Sequence, residues 1–103
     1  MPIIANHHRT AMTVSFTGTT TSDEMPTPRG YFFVKVKGGS GTVVLERFDV
    51  SQNEWDIADT FTADTAKNFY EAIGNTAYRL RCTVYTSGTI KGTIAAPAVQ
   101  VPV

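Results

Sequence analysis

Over much of this chain apolar and polar residues alternate one for one, the period of a strand with one face buried. The clearest run spans residues 77–94. There Tyr78, Leu80, Cys82 and Val84 alternate with Arg79, Arg81, Thr83 and Tyr85, which assigns the first set to a core and the second to a polar face. Thr86-Ser87-Gly88-Thr89 follows as a reversal, with Gly88 free to take positive φ, and Ile90 and Ile94 return on a second strand. The pattern reads as a β-hairpin, which needs a covering sheet from the rest of the chain.

The rest supplies one. Met12, Val14 and Phe16 alternate with Thr13, Ser15 and Thr17 in a first strand that ends at Gly18. Residues 19–30 hold Pro26 and Pro28 without periodicity and read as a long, contact-making surface loop. In residues 31–37, Phe32, Val34 and Val36 share one face and Tyr31, Phe33, Lys35 and Lys37 the other. Aromatics on that outer face point to a second covering, by a loop or another subunit. After Gly38-Gly39-Ser40-Gly41, residues 42–49 place Val43, Leu45 and Arg47 opposite Val44, Glu46 and Phe48. A turn at 51–54 leads into a strand with Trp55, Ile57 and Phe61. Residues 68–73 read as a strand in preference to a short helix capped by Asp64, because Gly74-Asn75 follows as a turn.

The ends break the pattern. Residues 1–10 hold Pro2 and a polar run, and residues 95–103 hold Pro97 and Pro102, which excludes a central strand there. Seven or eight evenly spaced short strands predict one all-β domain over residues 11–94. Its class is an antiparallel β-sandwich, jelly-roll or immunoglobulin-like, with extended N- and C-terminal arms.

Composition adds bounds. At 103 residues and 42% hydrophobic the chain can bury one modest core. A formal net charge of zero gives no global attraction to nucleic acid or to an anionic membrane, and suits a protein that works inside an assembly. The single cysteine, Cys82, cannot form an intramolecular disulfide and reads as a small buried hydrophobe. No apolar run reaches the ~18 residues that span a bilayer, and the N-terminus lacks a signal-type apolar segment.

The parts for catalysis are missing. His7 and His8 are the only histidines, and neighbours on an extended arm point apart. With Cys82 they do not make a zinc set. Asp49, Glu54, Asp56 and Asp59 surround a turn and offer oxygen ligands to calcium, although solvated turn carboxylates are commoner. The glycine-rich turn at 38–41 precedes a strand, whereas a phosphate cradle precedes a helix. Arg79 and Arg81 favour a cross-strand ladder with Glu46 or Glu71 over a ligand site with Tyr31, Phe33 and Tyr85 as stacking platforms. The place of Trp55, after a turn and before Ile57, favours core packing over stacking on a sugar ring. No enzyme activity, cofactor or metal is expected.

The run Thr42-Val43-Val44-Leu45-Glu46-Arg47-Phe48-Asp49, then Trp55, then Thr60-Phe61-Thr62-Ala63, Tyr70-Glu71 and Tyr78-Arg79-Leu80-Arg81-Cys82-Thr83 resembles a group of small bacteriophage β-sandwich proteins. The turn Asp49-Val50-Ser51-Gln52-Asn53 departs from that group in lacking glycines. The resemblance implies a structural virion component, assembled in the host cytoplasm. It would be a head decoration or cement protein docking on the major capsid protein and on neighbouring subunits, or a tail- or fibre-associated protein. A dimer or trimer is the expected assembly, without direct nucleic acid or membrane contact, and a carbohydrate- or host-surface-binding module is the alternative. Contacts are expected at Ile3, Ile4, His7, His8 and Arg9, at Pro26 and Pro28, and at Val99, Val101 and Val103. Ligand stacking, if any, falls to Trp55, Tyr31, Phe33 and Tyr85.

Overall fold

A computed structural model of the protein describes residues 10–96 and places eight strands there. They are β1 (Thr10–Phe16), β2 (Met25–Thr27), β3 (Gly30–Lys37), β4 (Ser40–Asp49), β5 (Glu54–Phe61), β6 (Thr65–Glu71), β7 (Thr76–Ser87) and β8 (Ile90–Ala96). Folding the chain in half at the turn between β4 and β5 explains the pairing. β4 meets β5, β3 meets β6, β2 meets β7 and β1 meets β8, all antiparallel. Alternate pairs roll to opposite sides. Contacts of β3 with β8 and of β4 with β7 then complete two sheets, β1-β8-β3-β6 (sheet I) and β2-β7-β4-β5 (sheet II). This nested winding is the jelly-roll form of the β-sandwich.

The core lies between the sheets. Phe16, Phe32, Val34 and Ile94 of sheet I meet Leu45, Tyr78, Leu80 and Cys82 of sheet II. Each fully buried Leu, Ile or Phe stabilises by about 1.5–3 kcal/mol. The expected faces of β3 and β4 hold, with Phe32, Val34, Val36, Val43 and Leu45 inside. β6 is a strand, as preferred, but begins at Thr65. Asp64 caps no helix; its Oδ1 accepts the N–H of Gly38 at 2.9 Å and so ties the β5–β6 turn to the end of β3.

Four expectations need correction. β7 and β8 are strands with a reversal at Gly88, but they are not a hairpin: β7 lies in sheet II and β8 in sheet I. The Gly38-Gly39 turn crosses between the sheets beside it. A Cβ on Gly88 (φ +75) would stand 3.0 Å from the Gly39 Cα, and one on Gly39 (φ +60) 2.9 Å from the Thr89 carbonyl carbon. Two backbones this close require glycine.

Val84 is not core. Thr42 faces Val84 and Val43 faces Cys82, so Thr83 is an extra residue, a β-bulge that inverts the alternation. Val84 turns outward, while Tyr85 packs against the core and donates its hydroxyl to the Gly88 carbonyl at 2.6 Å.

Residues 19–30 are a surface loop only in part: most are exposed, but Met25–Thr27 form β2. They run beside β7: Ser22 N–H donates to the Leu80 carbonyl at 2.8 Å, and Cys82 N–H to the Thr20 carbonyl at 2.9 Å. Met25 and Thr27 are buried between the sheets' edges, and Pro26 is exposed in an edge strand, where its missing N–H needs no partner. Finally, β8 runs through Ala95 and Ala96 as a central strand and stops before Pro97, which has no N–H to give a ladder. Residues 1–9 and 97–103 lie outside the described residues, and with them the expected contacts at Ile3, Ile4, His7, His8, Arg9, Val99, Val101 and Val103.

Candidate functional site

Three places hold the polar chemistry of the sandwich: one end of its interior and the outer faces of its two sheets. At the interior end, Arg47 from sheet II reaches Glu71 of sheet I. Glu71 is 1% exposed, and both of its oxygens are fully engaged. Oε1 accepts from Arg47 Nε at 3.0 Å and Tyr78 Oη at 2.6 Å. Oε2 accepts from Arg47 Nη2 at 3.1 Å, Thr76 Oγ1 at 2.9 Å, and the N–H groups of Ile73 and Gly74 at 3.0 Å each. Burial alone would push this carboxyl up, but Arg47, Tyr78 and the two backbone donors together hold it far below the usual carboxylate range. Burial and the neighbouring carboxylate push the Tyr78 hydroxyl up, and Glu71 does the same for the Arg47 guanidinium. The cluster therefore has no proton to exchange near neutral pH. It clamps one sheet to the other.

The outer face of sheet II answers its own charges. Cross-strand partners place Arg79, Glu46 and Ile57 in one row, Arg81, Val44 and Thr60 in the next, and Phe48 beside Trp55. Glu46, 3% exposed, takes Arg79 Nε at 2.8 Å on Oε1 and Arg81 Nη2 at 3.0 Å on Oε2. Burial raises its pKa, yet the two guanidinium groups outweigh that and lower it. This is the ladder expected from sequence, with Glu46 as the shared acid; Glu71 is taken by Arg47 from the inner side. Trp55 is not core. It lies on this face, with the Arg79 guanidinium 4.0 Å from its ring centroid and Phe48 edge-on at 5.2 Å. A cation–π contact of this kind is worth about 0.5–2 kcal/mol and covers one face of the ring.

The outer face of sheet I is different. Its registers give four rows: Ser15, Lys91 and Lys37; Thr13, Thr93, Lys35 and Ala66; Ala11, Ala95, Phe33 and Asn68; and Tyr31 with Tyr70. Tyr31 is 69% exposed, Tyr70 52% and Phe33 37%. The two tyrosines meet edge to face with centroids 5.0 Å apart. None of these outward positions is a carboxylate.

The other predicted site residues scatter. Tyr85 does not join Tyr31 and Phe33, because its bulge turns it inward at the other sheet. Pro26 is exposed and Pro28 half-buried. In the acidic run, Asp49 Oδ1 accepts Ser51 N–H and Oγ–H and so shapes the turn, while Asp59 Oδ2 takes Lys67 Nζ at 2.6 Å across the open edge of the sandwich. Among the described residues no three His, Cys, Asp or Glu side chains group as a metal site. Cys82 is buried, which raises its thiol pKa, and its Sγ donates to the Val84 carbonyl. A small, half-open space of about 20 Å³ near Val36, Val43, Phe61 and Ile90 has room for about one water. Sequence reasoning set Lys35 and Lys37 on one face with Tyr31 and Phe33 but did not join Tyr70 and Lys91 to that surface. The alternation marked them as outward, but only strand order brings β3, β6 and β8 together.

No protein-family model matches the chain, and no curated protein matches it. Solved structures do. A Yersinia pseudotuberculosis-derived mitogen is similar with a TM-score of 0.55 and 13% identity, covering 91% of this chain and 88% of its own. The SPBc2 prophage-derived protein YomS is similar with a TM-score of 0.53 and 14% identity, covering 85% of this chain and 95% of its own. These likenesses concern the fold: a small all-β sandwich that a prophage-derived protein also adopts.

Proposed function

We propose that the chain is a non-enzymatic structural protein of a bacteriophage particle, a head decoration protein that docks on the major capsid protein. The observation that carries this reading is where the ends leave the sandwich. Thr10 and Ala96 are cross-strand partners, so residues 1–9 and 97–103 both issue from one corner of sheet I. Engagement of both apolar-leaning segments by one partner would raise avidity without a pocket. Attachment to a tail or fibre uses the same corner. The prophage origin of one fold neighbour supports a phage setting.

Mass spectrometry of gradient-purified particles from cells that carry the gene tests this. The chain should co-purify in fixed ratio with capsid protein. A chain confined to the soluble fraction overturns the proposal. In the full-length protein, Ile3→Asp with Ile4→Asp, or Val99→Asp with Val101→Asp, should release it from the particle.

A further inference from the structure

We propose that the outer face of sheet I binds an anionic saccharide, laid along β8 with its neutral sugars over Phe33, Ala95 and Ala11 and its acidic group among Lys35, Lys37 and Lys91. This goes beyond attachment to a particle and does not depend on it, since it concerns the isolated protein.

The relief of the face defines a seat. Tyr31, Phe33, Lys35 and Lys37 stand as a ridge along β3, while β8 and β1 present only small side chains beside it, apart from Lys91. A shallow depression of about 310 Å³ lies there, lined by Thr13, Ser15, Lys91 and Thr93. A second, of about 270 Å³, lies across the ridge beside Lys35, Lys37 and Ala66.

The charge pattern defines the ligand. Lys37 and Lys91 are direct cross-strand partners, and Lys35 lies two residues along. Like charges placed opposite each other destabilise a sheet. Among the described residues, none of the three has a carboxylate within ion-pair distance. Asp64 lines the second depression, but its Oδ1 is held by the Gly38 N–H. A bound anion would answer three lysines that form no ion pair among the described residues, with Asp64 the one carboxylate lining either depression, in a chain whose formal net charge is zero.

The rest of the face is hydroxyl and hydrocarbon. Thr13, Ser15 and Thr93 both donate and accept, as sugar hydroxyls require. Phe33 with Ala95 and Ala11 offers an apolar floor for the C–H side of a ring. Phe33 to Lys37 is four residues, about 13 Å of strand, which is the reach of a short oligosaccharide. A polynucleotide fits less well. It carries a charge on every residue, whereas these lysines occupy two adjoining rows, and Tyr31 and Tyr70 turn edge to face instead of offering parallel platforms for successive bases.

Calorimetric titration of the full-length protein with sialyllactose, lactose and a short thymidylate oligomer tests the site. Sialyllactose places one carboxylate at the end of neutral sugars. It should bind, and lactose should bind about tenfold more weakly or not at all, the difference a charge-assisted contact supplies. Lys37→Gln with Lys91→Gln should bring sialyllactose down to lactose, Phe33→Ala should weaken both sugars, and each variant should stay folded, with a thermal midpoint close to or above the parent's. No binding of sialyllactose, equal binding of lactose, preference for the thymidylate oligomer, or an undiminished affinity in the lysine variant would each overturn the proposal.

Discussion

The two outer faces of this sandwich are built from the same kinds of residue and use them in opposite ways. On sheet II, Arg79 and Arg81 share Glu46, and Trp55 lies under Arg79 and against Phe48. Val44 is buried on that face even though it lies outside the inter-sheet core. On sheet I, the three lysines form no ion pair among the described residues, and Tyr31, Phe33 and Tyr70 face outward. A face whose charges are satisfied within the molecule contributes stability. A face whose charges are left open contributes none and is free to meet a partner. The Glu71 cluster is the far extreme of the first kind, with six donors converging on one buried carboxylate.

Breaking that extreme should have the largest effect. Glu71→Gln leaves Arg47 without its counter-charge and can turn an amide N–H against the Ile73 and Gly74 donors. Urea unfolding should register a loss of about 3–5 kcal/mol. The same cluster sets the response to acid. The folded-state pKa of Glu71 lies below its unfolded value near 4.5, so its contribution is complete above that value and drains away as pH falls toward the folded one. The free energy of unfolding should hold from neutrality to about pH 5 and then fall, by up to ~1.4 kcal/mol per pH unit for this group, and the thermal midpoint should fall with it. In Glu71→Gln that drop should be visibly shallower, with the remaining slope coming from Glu46, Asp59 and Asp49, whose pKa values are also lowered.

Next comes the ladder itself. Glu46→Gln leaves two guanidinium groups side by side, but both are partly solvated, so the loss should be on the order of 2 kcal/mol. Trp55→Ala removes a half-buried ring and its cation–π contact, and chemical denaturation should show a loss of about 1–2 kcal/mol. The smallest effects belong to sheet I. Tyr31→Ala should stay within ~0.5 kcal/mol of the parent, and Lys37→Gln should leave stability unchanged or slightly raised, because it removes a like-charge pair. A loss above 1 kcal/mol from either substitution, on the order of a typical buried-site change, would erase the contrast between the faces.

Much of this was legible in the chain. The period-two runs in β1 and β3 marked their inward residues one by one, that in β4 sorted its two faces, and Arg79 and Arg81 announced a ladder with Glu46 or Glu71, because these depend on alternation within a strand and on simple charge matching. What failed depended on distant partners. Residues 77–94 form two strands and a glycine turn, yet nothing local states that the turn changes sheets; that follows from pairing with β4 on one side and β1 and β3 on the other. One extra residue, Thr83, turned Val84 out and Tyr85 in. β2 hid because three residues around Pro26 carry no period. Trp55 has an aromatic's usual preference for burial but gained it from an arginine on the outside of the sheet. The open face of sheet I was invisible as a unit for the same reason, since its four rows exist only once β1, β8, β3 and β6 are set side by side.

The division between the faces is tested most directly by mapping backbone amide chemical shifts as sialyllactose is added to the full-length protein. The largest changes should fall on Thr13, Phe33, Lys35, Lys91 and Thr93, with the amides of Trp55, Ile57, Arg79 and Arg81 unmoved. Changes centred on that second group, with sheet I silent, would contradict the account.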